Sequence, residues 1–367
     1  MHFSPTALLS CVLTCGAFSG ATALAQQSIS ASPADALVDA NHYKRARVLV
    51  EARLRENPND AHALYLASKI QEALGNLHGA MALAEKSVEI DPRQVSYHAQ
   101  LAECYAYTAD RSTWVKGIAY VHLMKKEIAA ALAIHPHDSD TLLVAMMFAF
   151  HAPTLAGGDH KRAHELADEI VRYDPHWGYL AEARLAQEDS TDDRKEVWLK
   201  KAVQADPKHY RAWQELATFY CCVATRKNPT ETERTGHAMV ALDPSQASGY
   251  AALASAYART GRWADLDAVL AESEKTVPDD LVPYYQAAAA LIDAGHDLAR
   301  AEKYLSRYVG QDPEGREPDR GQAKWLLATL YEKNGRTPDA IRELEAAVRM
   351  SPDFEPAKRE LKRLRRS

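Results

Sequence analysis

Along this chain, stretches with apolar residues at three- and four-residue steps alternate with short polar breaks, and nine of the breaks carry a proline. The segment AEKSVEIDPRQ (84–94) shows the form, which returns in IVRYDPHW, AVQADPKH, MVALDPSQ and AAVRMSPDF. Steps of three and four place side chains on one face of an α-helix. Proline lacks a backbone N–H and disfavours helical geometry in the residue before it, so each such proline closes one helix and fixes the turn into the next. The nine are Pro58, Pro92, Pro136, Pro175, Pro207, Pro244, Pro278, Pro313 and Pro352, spaced 32 to 44 residues apart. A period near 34 residues is that of a stacked helix–turn–helix array.

Inside a period the pattern predicts two helices. In residues 61–94, Leu64, Ala67 and Gln71 share one face of a first helix, Gly75 ends it, and Ala80, Ala84, Ser87 and Val88 share a face of a second. Residues 247–280 repeat the plan with Tyr250, Leu253, Ala254, Tyr257, Gly261 and Trp263. Residues 321–354 repeat it again with Trp325, Leu327, Ala328, Tyr331, Gly335, Ala340, Leu344, Ala347 and Pro352. Small residues at fixed places let paired helices approach, while Tyr and Leu fill the space between pairs.

This order of residues resembles the tetratricopeptide repeat (TPR): a large residue, Leu with Gly or Ala, then Tyr in the first helix, Gly in the turn, and spaced Ala residues before Pro in the second. The resemblance spans residues 33–366. It implies an all-α fold, a right-handed TPR superhelix (α-solenoid) of about nine helix–turn–helix units with a C-terminal capping helix. The units fall near 33–60, 61–94, 95–138, 139–177, 178–209, 210–246, 247–280, 281–320 and 321–354, with the cap at 355–366. Units 61–94, 247–280 and 321–354 match in spacing and type and the rest are degenerate: 95–138 is lengthened around TADRSTWVKGIAYVH, 139–177 has its turn stretched to APTLAGGDH, and 178–209 has a short first helix. A hairpin in such an array cannot bury its own apolar face, so the ends need caps. The segment FEPAKRELKRLRRS supplies one, with Ala357, Leu361 and Leu364 on a single stripe and a solvated basic face.

Composition narrows the function classes. The chain of 367 residues is 47% hydrophobic and 26% charged, which excludes a disordered chain. Its net charge of −6 argues against nucleic acid as the main ligand. Residues 1–25 contain no Lys, Arg, Asp or Glu, carry a short apolar run over Leu8–Phe18, and end Ala23-Leu24-Ala25. That is the form of a secretory signal peptide cleaved after Ala25, followed by a linker over 26–32. Lipidation at Cys15 is the lesser alternative, because Thr14 precedes it. The expected product is a periplasmic or secreted protein with no transmembrane segment in its mature chain.

No catalytic constellation emerges, and neither a cofactor nor a metal is expected. A Gly-Lys-Ser/Thr phosphate loop, a Gly-x-Ser-x-Gly elbow and a His-Glu-x-x-His pair are all missing. His160 and His164, with His151 before the same loop, form the one histidine group spaced for a metal, but no close Glu or Cys completes it. A small-ligand or metal-binding component serving a transporter or envelope assembly is therefore the alternative reading. Cys104 reads as a packing residue. Cys221 and Cys222 point about 100° apart on a helix, so a bridge between them is expected to be strained.

What remains is surface. In TPR proteins the first helices line a concave face that receives an extended or helical peptide. The resemblance places His62, Tyr65, Lys69, Glu72, Ser96, Ala99, Glu103, Leu143, Met147, Phe150 and His151 there. Further along come Arg211, Gln214, Thr218, Val282, Tyr285, Ile292, Gln322, Trp325 and Thr329. Of these, Tyr65, Lys69, Phe150, His151, Arg211, Gln214, Tyr285, Gln322 and Trp325 are the expected partner contacts, with Leu143, Met147 and Phe150 as an apolar stripe, although helical spacing alone leaves Leu143 and Met147 equally able to pack inward. The implied role is a non-catalytic scaffold or adaptor with a protein or peptide partner. If the signal reading is right, mass spectrometry of the exported protein finds Gln26 as its first residue; an intact amino terminus contradicts it.

Overall fold

A computed structural model describes residues 32–188, 191–223, 227–315 and 318–366. The signal segment lies outside the described residues. The chain divides into two compact units, the first ending at Asp206 and the second beginning at Pro207. Among the described residues the regular structure is helical throughout, as expected: nine hairpins followed by one capping helix.

The first unit holds five hairpins. They are α1 (Pro33–Asp39) with α2 (Tyr43–Glu56), α3 (Ala61–Ala73) with α4 (Leu77–Ile90), and α5 (Val95–Asp110) with α6 (Trp114–Ile134). Then come α7 (Ser139–His151) with α8 (His160–Tyr173), and α9 (Pro175–Glu188) with α10 (Asp192–Ala205). Each odd-numbered helix from α1 to α7 also touches the next odd-numbered one, so each of the first four hairpins leans on its successor. Asp60, Asn76, Asp138 and Asp159 each cap a helix by accepting a hydrogen bond from the backbone three residues on.

The second unit holds α11 (Tyr210–Cys222) with α12 (Pro229–Leu242), α13 (Ala247–Thr260) with α14 (Trp263–Thr276), α15 (Val282–Ala294) with α16 (Leu298–Val309), and α17 (Arg320–Lys333) with α18 (Thr337–Met350). Its last element, α19 (Glu355–Leu364), closes it. Ala357 and Leu364 are buried and Leu361 packs beside them, which is the capping stripe the sequence predicts. The basic face of α19 is engaged as well as solvated: Arg363 pairs with Glu332 on α17 and Arg365 with Glu345 on α18.

The turn glycines behave as their spacing implies. Gly75 and Gly261 have φ of 88° and 70°, a left-handed conformation that costs a side-chain-bearing residue and lets the first helix of a hairpin stop cleanly. The prolines are less uniform. Pro92 sits in a turn between α4 and α5, whereas Pro175 is the first residue of α9, where its missing N–H has no helical partner to lose.

Three local expectations change. The first helix of the 178–209 unit is not short, since α9 runs for 14 residues, and the extra length of the 95–138 unit lies in α6, which runs for 21. Leu143 is buried in the first unit, so it does not belong to an exposed apolar stripe; Met147 and Phe150 are half-buried. Cys221 and Cys222 are joined as a vicinal disulfide at the end of α11, despite the expected strain. Cys104 is buried and unbridged, and burial pushes its thiol up.

A buried ion pair fixes α6 to α5. His98 Nδ1 lies 2.6 Å from Glu127 Oε2, and its Nε2 lies 2.9 Å from the carbonyl of Pro92, so both ring nitrogens face acceptors. The bond to Glu127 raises the imidazole above its ordinary pKa. This contribution is fully present below the unfolded imidazole value of about 6.5 and is lost as pH rises through the raised folded value. His98→Ala leaves Glu127 buried and alone, and is expected to lower the unfolding free energy by about 3 kcal/mol. Urea melts across the neutral range check both points: the wild-type advantage shrinks towards alkaline pH.

Candidate functional site

In the first unit, α3 and α5 set their facing residues into a connected polar and aromatic group. His62 Nε2 lies 2.8 Å from Asp35 Oδ1, and its other nitrogen lies 3.4 Å from the Tyr97 hydroxyl. The Tyr65 and Tyr97 rings stack at 5.1 Å, and Lys69 Nζ donates to the Tyr65 hydroxyl at 3.2 Å. Gln100 Nε2 donates to Glu72 Oε2 at 2.6 Å. Tyr65, Lys69 and Glu72, expected as open contacts, are therefore buried and held by this network. Their spacing was that of a helix face, but length and aromatic bulk let them turn onto the neighbouring hairpin.

Asp140, in the first turn of α7, was not singled out by its sequence position. An acid there ordinarily reads as a partner for the helix dipole. Burial, with the carboxylates of Asp138 and Asp174 nearby, instead pushes its pKa up to about 7, only partly offset by Lys69 and Arg184. Asp35 goes the other way: burial opposes ionisation, yet the Ser32 hydroxyl and His62 hold its carboxyl below the usual value.

Further along α7, Phe150 is half-buried, with its ring 4.3 Å from that of His160 and edge-on to His151 at 5.4 Å. Among the described residues, His151, His160 and His164 do not gather with a carboxylate as a three-ligand set. His164 instead faces Glu182 electrostatically on α9.

In the second unit Arg211 pairs with Glu215 one turn along α11 at 2.9 Å, and Gln214 beside it is half-buried. Tyr285 packs on Tyr308 with centroids 5.3 Å apart. Gln322 is committed to structure: its side chain accepts from the Asp319 N–H at 2.8 Å while Asp319 accepts from the Gln322 N–H at 2.7 Å, a capping box that starts α17. Trp325 is half-buried and meets Phe354 edge-on at 5.6 Å. Its enclosed Nε1–H finds no acceptor among the described residues, so packing alone holds the ring. Phe150, Tyr285 and Trp325 thus present partly open aromatic surface on first helices, while Arg211 and Gln322 are already occupied. Another site missed from sequence is Asp293, which accepts from Lys227 at 2.7 Å and also bonds Arg259, tying α15 to α13. Its partners lie 66 and 34 residues away, beyond any local pattern.

Comparison with known proteins supplies the remaining evidence. The tetratricopeptide repeat family matches residues 34–95 and 285–353. Yeast Tom70 shares the fold at a TM-score of 0.51 with 15% identity, over 90% of this chain and 79% of that one. A thermophilic TPR protein of Thermus thermophilus aligns at a TM-score of 0.44 with 22% identity, over 51% of this chain and 94% of that one. Among curated proteins none matches this chain by sequence.

Asp140 provides a direct check on the first unit. Its raised folded pKa means that ionising it costs stability progressively as pH rises from about 4 to about 7, with no cost below that range. Asp140→Asn is expected to stabilise the protein at pH above 7 by about 1–2 kcal/mol, with no gain near pH 4. Thermal melts across that range measure it. Over residues 34–95 and 285–353 the hairpins match the tetratricopeptide repeat family, within an all-helical α-solenoid.

Proposed function

We propose that this protein is a non-catalytic interaction scaffold that holds a partner polypeptide against its first helices, working in the bacterial periplasm after loss of the segment ending at Ala25. The observation that carries the reading is the set of partly open aromatic rings on first helices, Phe150, Tyr285 and Trp325. Aromatic anchors of this kind supply most of the energy at protein contacts. The family match supports a protein partner in preference to a small molecule. No helix among the described residues is long and apolar enough to cross a membrane.

Each unit's face is tested separately. Tyr285→Ala with Trp325→Ala alters the second, and Phe150→Ala alters the first. Crosslinking in intact cells, followed by identification of the captured proteins, is expected to show loss of at least one partner in one variant, with helicity unchanged. A single truncation at a central anchor costs about 2 kcal/mol or more of binding, roughly thirtyfold in affinity. An identical captured set from both variants and the wild type overturns the reading.

A further inference from the structure

The surface facing away from the hairpin stack at α6 carries a feature that peptide binding on first helices does not use. Val115 and Ile118 are 78% and 48% exposed on the first turns of α6, and Leu155, in the 3-10 turn Thr154–Ala156, is 93% exposed. These are large apolar side chains left in water, which a soluble surface ordinarily avoids when they cluster. Lys125 Nζ donates to the carbonyl of Ala156 at 3.1 Å, which sets the 3-10 turn beside α6 at that level. Ile118 lies two helical turns before Lys125 and within about 20° of it around the axis, and Val115 within about 80°.

The charges that α6 itself exposes on this side have one sign. Lys116, Lys125 and Lys126 are all exposed, and among the described residues none of them forms an ion pair. With Val115 and Ile118 they fall within one half of the helix surface, Lys116 and Lys125 at its two edges. The only acid of α6, Glu127, is turned inward onto His98. The face therefore offers apolar side chains flanked by ammonium groups without an acidic partner, on a chain whose net charge is −6. The face is made of a helix surface and a 3-10 turn.

We propose that this face docks onto an anionic phospholipid surface. Leu155, Val115 and Ile118 enter the boundary between headgroups and acyl chains, and the three lysines meet the headgroup phosphates. Lysine suits that position because its apolar stem can lie along the acyl boundary while the ammonium stays in water. A helix with apolar and basic residues on its open side is the usual form of an interfacial contact. The contact is shallow and involves few side chains, so the binding is reversible. It leaves the first-helix faces free and does not depend on the proposed peptide contact.

The test is co-sedimentation of the full chain with dense vesicles of phosphatidylcholine alone, and of equal parts phosphatidylcholine and phosphatidylglycerol. The protein is expected to sediment with the mixed vesicles, to remain in solution with the neutral ones, and to be released by salt. Leu155→Asp with Val115→Asp is expected to lower partition at least tenfold, from the loss of two buried apolar side chains. A second variant, Lys116→Gln with Lys125→Gln and Lys126→Gln, is expected to lower it about fivefold per lysine and to flatten the salt dependence. All five positions are exposed, and unchanged melting temperatures establish that both variants are folded. Equal sedimentation with both vesicle types, no sedimentation with either, or undiminished binding by either variant overturns the proposal. So does a result in which the variants change only self-association or the crosslinked proteins, because the face is then a protein contact.

Discussion

A pair of amphipathic helices joined by a short turn has more apolar surface than its two members can hide from each other, and that constraint organises the molecule. Buried surface of this kind is worth about 25 cal/mol per Å², and leaving it in water for each hairpin would exceed any plausible net stability. Within each unit a hairpin therefore sets its first helix against the first helix of the next, as α13 does against α15 and α15 against α17. Small residues such as Ala254, Ala287, Ala288 and Ala328 are buried in the second unit's core, where they allow helices to approach closely, and Tyr250, Tyr284, Tyr304 and Tyr331 fill the wider spaces. The chain ends this series with α19, whose outward residues are charged and paired, so that the final apolar face of α17 and α18 is covered without exposing another.

The same constraint explains how much could be read before any coordinates were considered. Helix spacing, turn glycines and recurrent prolines are local signals, and all three are set by backbone chemistry. The capping stripe Ala357, Leu361 and Leu364 was legible for the same reason. The depth at which a face residue sits was not legible, because it depends on the neighbouring hairpin. Lys69 and Tyr65 have the spacing of open groove residues but are taken up by each other and by Tyr97. Gln322 has the spacing of a contact residue and is a cap. Asp140 looks like a dipole partner from its place in α7, and only the assembled unit buries it and brings Asp174 near, which together with the adjacent Asp138 raises its pKa. The Cys221–Cys222 bridge runs against the geometric expectation for adjacent helical residues.

Irregularity in the array adds what a uniform repeat would lack. The lengthened α6 is held by the His98–Glu127 pair inside, which leaves its open side available for Val115, Ile118 and three lysines. The stretched turn before α8 is held beside α6 at the level of Lys125, with Leu155 exposed on it. Regular hairpins and departures from them thus present two different surfaces. First helices carry aromatic rings suited to a polypeptide, and the outer side of the third hairpin is suited to a flat anionic layer. The two surfaces lie on different helices, so a scaffold could use one without surrendering the other.

If stability is shared between neighbouring hairpins, damage at one end should spread only as far as neighbour contacts carry it. Native-state hydrogen exchange on Leu364→Ala, which weakens the contact of α19 with the hairpin it caps, measures that spread residue by residue. The account predicts the greatest loss of protection in α17 to α19, a smaller loss in α15 and α16, and little in α11 and α12. An equal loss across all helices of the second unit would contradict it, showing one undivided core in place of a chain of mutually supporting pairs.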